Sequence, residues 1–231
     1  MKKFLIILIA LSLIFPFSVL AATYTKQPSA KDNHFYQGRP DENNGDITYL
    51  WFRRVAGTET WDILNFNISD LPAGAVISSA KLYLYYYDIS DADPVGESVD
   101  AYKITRDNWT ELGSTWNKYD GTNNWTTPGG DYVTSNPAGG NTTFPASFGW
   151  MSWEIKAIVE DAIANVGSSV NVIVKGTTTD TAGASFYSNN YTTDTSLRPK
   201  LVIEYTVPSK RRIFIISFLK DLLKNNLTYV M

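Results

Sequence analysis

Residues 62–87 constrain the fold more than any other stretch of this chain. In 62–68, DILNFNI, Leu64, Phe66 and Ile68 fall on one side and Ile63, Asn65 and Asn67 on the other. After a turn-rich connection comes 79–87, SAKLYLYYY, where Ala80, Leu82, Leu84 and Tyr86 alternate with Lys81, Tyr83, Tyr85 and Tyr87. A period of two, dense in aromatic residues, defines strands with one face on a core and the other toward water. Two such strands are expected at the centre of the molecule.

The rest of the chain is read outward from this pair. Residues 22–46 are polar and rich in Asn, Asp and Gly, and are expected to form an edge strand and loops. Residues 48–53 predict a strand with Tyr49, Trp51 and Arg53 opposite Leu50 and Phe52. Further strands are expected at 99–105, 170–175, 184–189 and 198–206. Residues 153–165 predict the one helix of the body: Ile155, Ile158, Val159, Ala162 and Ile163 have core-stripe spacing, and Gly167 is placed to end it. Residues 106–149 read as a long loop packed down by Trp109, Trp116, Trp125 and Tyr132, with room for a short strand. Short strands, Gly/Asn/Pro turns and a single helix define an all-β, antiparallel β-sandwich.

The two ends differ from this body. Lys2 and Lys3, an apolar run over 4–17 and small residues at 19–22 have the form of a secretory signal peptide, so an extracellular location is expected. Residues 209–231 are basic and helix-compatible, with Ile215, Ile216, Leu219, Leu222 and Leu223 along one stripe. They read either as a helix on a membrane surface or as an extension past a complete domain over 23–208, the simpler reading. The absence of cysteine excludes disulfides and thiolate chemistry. Without Lys2, Lys3 and the tail's five basic residues and one acid, the chain's 20 basic and 23 acidic residues fall to 13 and 22. An acidic body argues against a nucleic-acid partner.

Few residues suggest chemistry. His34 is the one histidine, expected at the surface, and no Ser or Cys motif supplies a partner for a triad. Asp107, Glu111 and Asp131 have the residue types of a glycosidase acid pair, but Glu111 and Thr115 are expected instead to satisfy backbone groups in a tight loop. No catalytic residue is assigned. Asp88, Asp91 and Asp93 are the weak candidate ligands for a structural calcium ion, with Asp32, Glu42 and Asn43 as a second set. Neither has the loop of an EF-hand, and no other cofactor is expected.

Four segments occur in an order that is specific in combination. They are ILNFNISDLPAGAVISSAKLYLYYY (63–87), WTELGSTWN (109–117), WTTPGGDY (125–132) and SFYSN with RPKLVIEY (185–205). Together they resemble the DNRLRE domain, also classed as carbohydrate-binding module family 96 and related to repeats of archaeal disaggregatases. The similarity covers roughly 25–206. It implies a secreted β-sandwich of jelly-roll type that binds an extracellular polysaccharide, with alginate-like polyuronates bound by some members. The alternatives are a structural or adhesive surface protein and, behind it, a polysaccharide lyase or hydrolase.

For binding, alternation places Tyr83, Tyr85 and Tyr87 opposite the core face as an aromatic ladder on which sugar rings can stack. Trp51 is a further platform, with Trp61 and Trp125 behind it, while Trp109, Trp116 and Trp153 are assigned to packing. Arg53, Arg54 and Lys81, joined by Lys103, are the candidate cations for uronate carboxylates. Whether a loop or the helix covers this face is a matter for the tertiary structure.

Overall fold

A computed structural model describes residues 21–176 and 180–208, the side chains of 136–138 excepted. The tail 209–231, and all but the last two residues of the expected signal peptide, lie outside the described residues. The chain divides into two compact units: Thr23–Leu71 with Ile77–Glu204, and Pro72–Val76 with the two chain ends. The larger unit holds every candidate binding, metal and catalytic residue.

The strands are β1 (Ala21–Lys26), β2 (Lys31–Tyr36), β3 (Tyr49–Arg53), β4 (Thr60–Asn67), β5 (Val76–Ile89), β6 (Ser98–Ile104), β7 (Tyr132–Thr143), β8 (Gly149–Glu154), β9 (Ser169–Gly176), β10 (Gly183–Tyr187) and β11 (Lys200–Thr206). One helix, α1 (Lys156–Asn165), lies between β8 and β9. Neighbouring strands run β11, β5, β10, β3, β4, β9, β6, β7, with β2 on β4 and β8 on β5. Every register resolved between these strands is antiparallel. The result is the expected all-β sandwich with one short helix.

The central pair behaves as its alternation requires. On β5, Ala80, Leu82, Leu84 and Tyr86 are buried, Tyr83, Tyr85 and Tyr87 are half-buried and Lys81 is exposed. The inner face meets the opposite layer through rings: Phe144 contacts Phe52, Tyr86 and Phe186, and buried Trp153 on β8 donates its Nε1–H to the Val99 carbonyl of β6 at 3.0 Å. Ile155, Ile158, Val159 and Ala162 of the helical segment are buried, but Ile163 is 41 % exposed. The helix starts later than predicted because Trp153 and Glu154 belong to β8, and it ends where expected. Gly167 has φ +61°, and the N–H groups of Val166 and Ser168 both return to the Ala162 carbonyl.

Three expectations change. The polar stretch supplies edge strands as expected, β1 at the end of the strand order and β2 paired to β4, but β2 is not open to solvent: Asp32, Asn33, His34 and Phe35 are all buried. The long loop contains β7, a twelve-residue strand whose Asn/Pro/Gly-rich sequence gives no strand signal. And β4 is covered on both sides rather than one. Opposite the main core, Phe35, Ile63, Ile104 and Ile173 pack with Trp109, Trp116 and Trp125 from the 105–131 segment. That segment is therefore an ordered cover with its own apolar cluster. Two of its indoles find buried acceptors, Trp109 Nε1–H on Asn171 Oδ1 at 2.9 Å and Trp125 Nε1–H on the Thr115 carbonyl at 3.0 Å.

Gly129 closes this cover. Its φ is +93°, and a Cβ there would lie 2.5 Å from the Trp61 ring and 3.2 Å from that of Trp116. Gly129→Ala should therefore destabilise the protein by about 1–3 kcal/mol through backbone strain alone, with displacement of the rings adding to it. Urea unfolding followed by tryptophan fluorescence measures the loss.

Candidate functional site

The outward side chains of β5 do not stand alone. The register sets Tyr83 opposite Ser152 and Tyr85 opposite Trp150 on β8. On β10, Tyr187 lies opposite Tyr49, and Ser185 opposite Trp51, of β3. Because facing residues of an antiparallel pair share a side of the sheet, β8, β5, β10 and β3 build one aromatic face. Trp150 stands edge-on to Tyr83 (centroids 6.3 Å, 84°) and Tyr85 (5.3 Å, 90°). Tyr187 lies parallel to Tyr87 (4.1 Å, 2°) and to Tyr191 of the following loop (3.8 Å, 14°). All six rings are half-buried.

This geometry decides what each ring can offer. Tyr187 is sandwiched, so it presents no free ring face; contact with a flat ligand falls to the outer rings and to the hydroxyl edges. A hydrogen bond with Tyr191, followed by burial, raises the Tyr187 hydroxyl to about 12, so it keeps its proton near neutrality. Two ammonium groups border the face. Lys81 is exposed and makes no hydrogen bond among the described residues, while Lys200 lies 3.7 Å over the Trp150 ring, where burial lowers its pKa. The sequence reading missed Trp150, Tyr187, Tyr191 and Lys200. Alternation with the inward residues Met151 and Leu201 was signal enough to turn Trp150 and Lys200 outward.

Trp51 and Arg53 share this side, as expected from β3. Trp51 donates Nε1–H to Ser90 Oγ at 2.8 Å and packs on Tyr36 at 5.4 Å. The Arg53 guanidinium lies 5.6 Å over the Trp51 ring but is engaged by Asp91 at 3.2 Å and by Thr58. Arg54 is a correction. Adjacent strand residues point to opposite faces, so Arg54 cannot join Arg53. It is 2 % exposed, with Nη1 on Glu97 at 2.7 Å and Nη2 on Asp180 at 3.1 Å. Lys103 instead pairs with Asp161 of α1. Trp125 is buried, and Trp61 lies between Trp116 at 4.6 Å and the Lys175 ammonium at 3.8 Å, so both belong to the second cluster. Trp109, Trp116 and Trp153 are buried, as assigned.

The metal and catalytic candidates separate likewise. Asp91 is held by Arg53 and Asp93 caps the Val95 N–H at 3.0 Å; no group of three or more His, Cys, Asp or Glu among the described residues is arranged to hold a metal ion. Asp88, Asp91 and Asp93 are thus not gathered as a carboxylate cluster. Of the second set, Asp32 is buried under Ser29 and the Asn189 N–H, while Glu42 pairs with Arg39. Thr115 Oγ1 accepts from the N–H groups of Asn117 and Lys118, as the tight-loop reading expected, whereas Glu111 reaches out of the loop and accepts from the Asp32 N–H and from Asn189 Nδ2, both at 2.9 Å.

His34 is buried rather than exposed, directly opposite Asp62 in the β2–β4 register. His34 Nδ1 has no hydrogen-bond partner, and neither Asp62 oxygen accepts a well-formed one, the Trp51 backbone offering only a weak contact. Burial lowers the His34 pKa to about 4 and raises Asp62 well above the carboxylate range, with the nearby Asp32 carboxylate adding to the Asp62 shift. Burial likewise raises Asp32 to about 7, against the hydrogen bonds it accepts.

A family model for carbohydrate-binding module family 96 matches residues 23–205. The chain belongs to that family, whose members are carbohydrate-binding modules. Comparison with curated protein sequences gives no match.

Two measurements test the charge assignments. Arg54→Ala leaves Glu97 and Asp180 without their shared cation and should cost about 3 kcal/mol, while Arg53→Ala, at a partly solvated pair, should cost under about 1 kcal/mol. The second is pH dependence. Carboxyls that stay protonated in the fold favour it fully below about pH 4 and lose that contribution as pH rises through their folded pKa. A depressed His34 acts oppositely, adding stability from about pH 4 to 6.5, above which it is neutral in both states. The thermal midpoint should therefore fall between pH 6.5 and 8, and Asp62→Asn should flatten that fall.

Proposed function

We propose that this protein is exported and binds an acidic extracellular polysaccharide of the polyuronate type on its aromatic face, without chemically altering it. The observation that carries the reading is the joined set Tyr83, Tyr85, Tyr87, Trp150, Tyr187 and Tyr191, half-exposed and bordered by Lys200 and by Lys81, which makes no hydrogen bond among the described residues. Half-buried rings are already ordered by their neighbours, so a ligand gains apolar contact at little entropic cost. Hydroxyl edges suit sugar hydroxyls, and lysine ammonium groups act as point charges for carboxylates. Four strands at about 4.8 Å spacing give a face about 14 Å across, suited to an extended polymer rather than to an enclosed small molecule. The signal-like N-terminus supports export. The carboxylates of Asp107, Glu111 and Asp131 lie in the 105–131 segment, which supplies none of these rings.

Affinity electrophoresis tests this reading directly. The protein should be retarded in gels containing alginate or pectate, and less so as salt is added, because lysine pairing is screened. Tyr85→Ala and Lys81→Ala should each weaken retention about tenfold, equivalent to about 1.4 kcal/mol, and Arg53→Ala less. Unretarded migration in both polyuronate gels would overturn it.

A further inference from the structure

Where β6 ends and β7 begins, an open cleft of 630 Å³ lies among Arg106, Asp107, Asn108, Thr127, Asp131 and Tyr132, away from the rings of the aromatic face. That volume is in the range of small-ligand sites. Its centre is a cation held from two sides. Arg106 Nε donates to Asp131 Oδ2 at 3.2 Å, and the guanidinium lies 4.2 Å over the Tyr119 ring. Asp131 is fixed in turn: its Oδ1 accepts the Thr127 N–H at 2.9 Å. Partial burial works against its charge, but this and other hydrogen bonds, Arg106 among them, keep its pKa below the usual carboxylate value.

The groups left over are those a ligand would meet. The terminal nitrogens of Arg106, the carboxylate of Asp107 and the side-chain amide of Asn108 make no hydrogen bond among the described residues. Donors and acceptors thus sit side by side, with Arg106 already held by Asp131 and Tyr119 and the exposed Asp107 and Asn108 beside it. Charge narrows the choice. Arg106 is paired with Asp131, and the Lys31 ammonium, held on the Trp109 carbonyl and ring, is attracted to Asp107, so the cleft carries no excess positive charge to draw an anion. An anion would meet two carboxylates there. Sugar hydroxyls, which donate and accept at once, match the set: a vicinal pair can give hydrogen bonds to Asp107 and take them from Arg106 or Asn108.

We propose that this cleft is a second carbohydrate site, selective for neutral sugars bearing vicinal hydroxyls. It does not rest on the polyuronate reading of the aromatic face. Two sites of different preference on one module would let it bridge an acidic and a neutral polymer, or grip two chains of one mixed matrix.

The test is an NMR titration of the ¹⁵N-labelled protein with cellohexaose, laminarihexaose and mannohexaose, with tetragalacturonate as the anionic comparison. At least one neutral hexaose should shift the Asn108 side-chain amide, the Arg106 Nε–H and the Thr127 amide in a saturable way. Asn108→Ala and Asp107→Ala remove exposed side chains that make no hydrogen bond among the described residues, so both variants should stay folded and bind that hexaose about tenfold more weakly. Tyr85→Ala should leave these shifts unchanged. The proposal is overturned if no neutral hexaose moves these signals, if tetragalacturonate moves them more strongly, or if both cleft variants bind as well as the parent.

Discussion

Both faces of β4 are buried, and most of the molecule can be understood from that constraint. Leu64 and Phe66 face the main core while Ile63 faces a second cluster, so the strand cannot be left half-solvated as an ordinary antiparallel strand can. Something must cover Ile63, Ile173 and Phe35, and the 105–131 segment does so with three buried tryptophans. Each indole brings a large apolar area and a polar N–H that must find an acceptor. The acceptors found, Asn171 on β9 and the Thr115 carbonyl within the cover, tie the segment to the sheet and to itself. A long stretch without regular structure is thereby held at a fixed place, and the Arg106–Asp131 pair, on which Tyr119 also bears, inherits that rigidity.

Tryptophan and tyrosine are divided between these roles. Trp109, Trp116, Trp125 and Trp153 are spent inside, whereas Tyr83, Tyr85, Tyr87, Tyr187 and Tyr191 gather on an outer face where a phenol can keep its ring against neighbours and its hydroxyl near water. The outer rings stack mainly on one another. They form a firm surface of edges and hydroxyls with a few free faces, rather than a row of flat platforms. Membership of carbohydrate-binding module family 96 fits such a surface.

Much of this was legible in the sequence, and the failures have identifiable causes. The alternation of β5 was read correctly, residue by residue, because a period of two with large side chains leaves one arrangement that buries the apolar set. The same rule, applied strictly, would have separated Arg53 from Arg54. Placing both on one face ignored that consecutive strand residues diverge. The burial of β2 was not legible, since KDNHFY looks like solvent-exposed sequence until Glu111, Ser114 and Asn44 are seen to satisfy its polar groups from distant parts of the chain. Nor was β7, where Pro and Gly argue against a strand. Gly139 and Gly140 are nevertheless needed there, because a Cβ on either would lie within 3 Å of the backbone of Ala101 or Glu154.

The sequence by itself determined the all-β class, the inward and outward sets of β5, the end of the helix at Gly167 and the family. All of these are written in local periodicity, in single-residue conformational preference, or in motifs whose order survives without coordinates. The tertiary structure alone decided which side chains remain available. Arg54, Lys103 and Asp91 are removed as ligand-binding groups by partners from 38 to 126 positions away, while Trp150, Tyr187 and Lys200 are brought in by strands equally remote. Availability depends on what lies across the sheet, and strand pairing over such distances is set by the burial of the whole core rather than by any one stretch of chain.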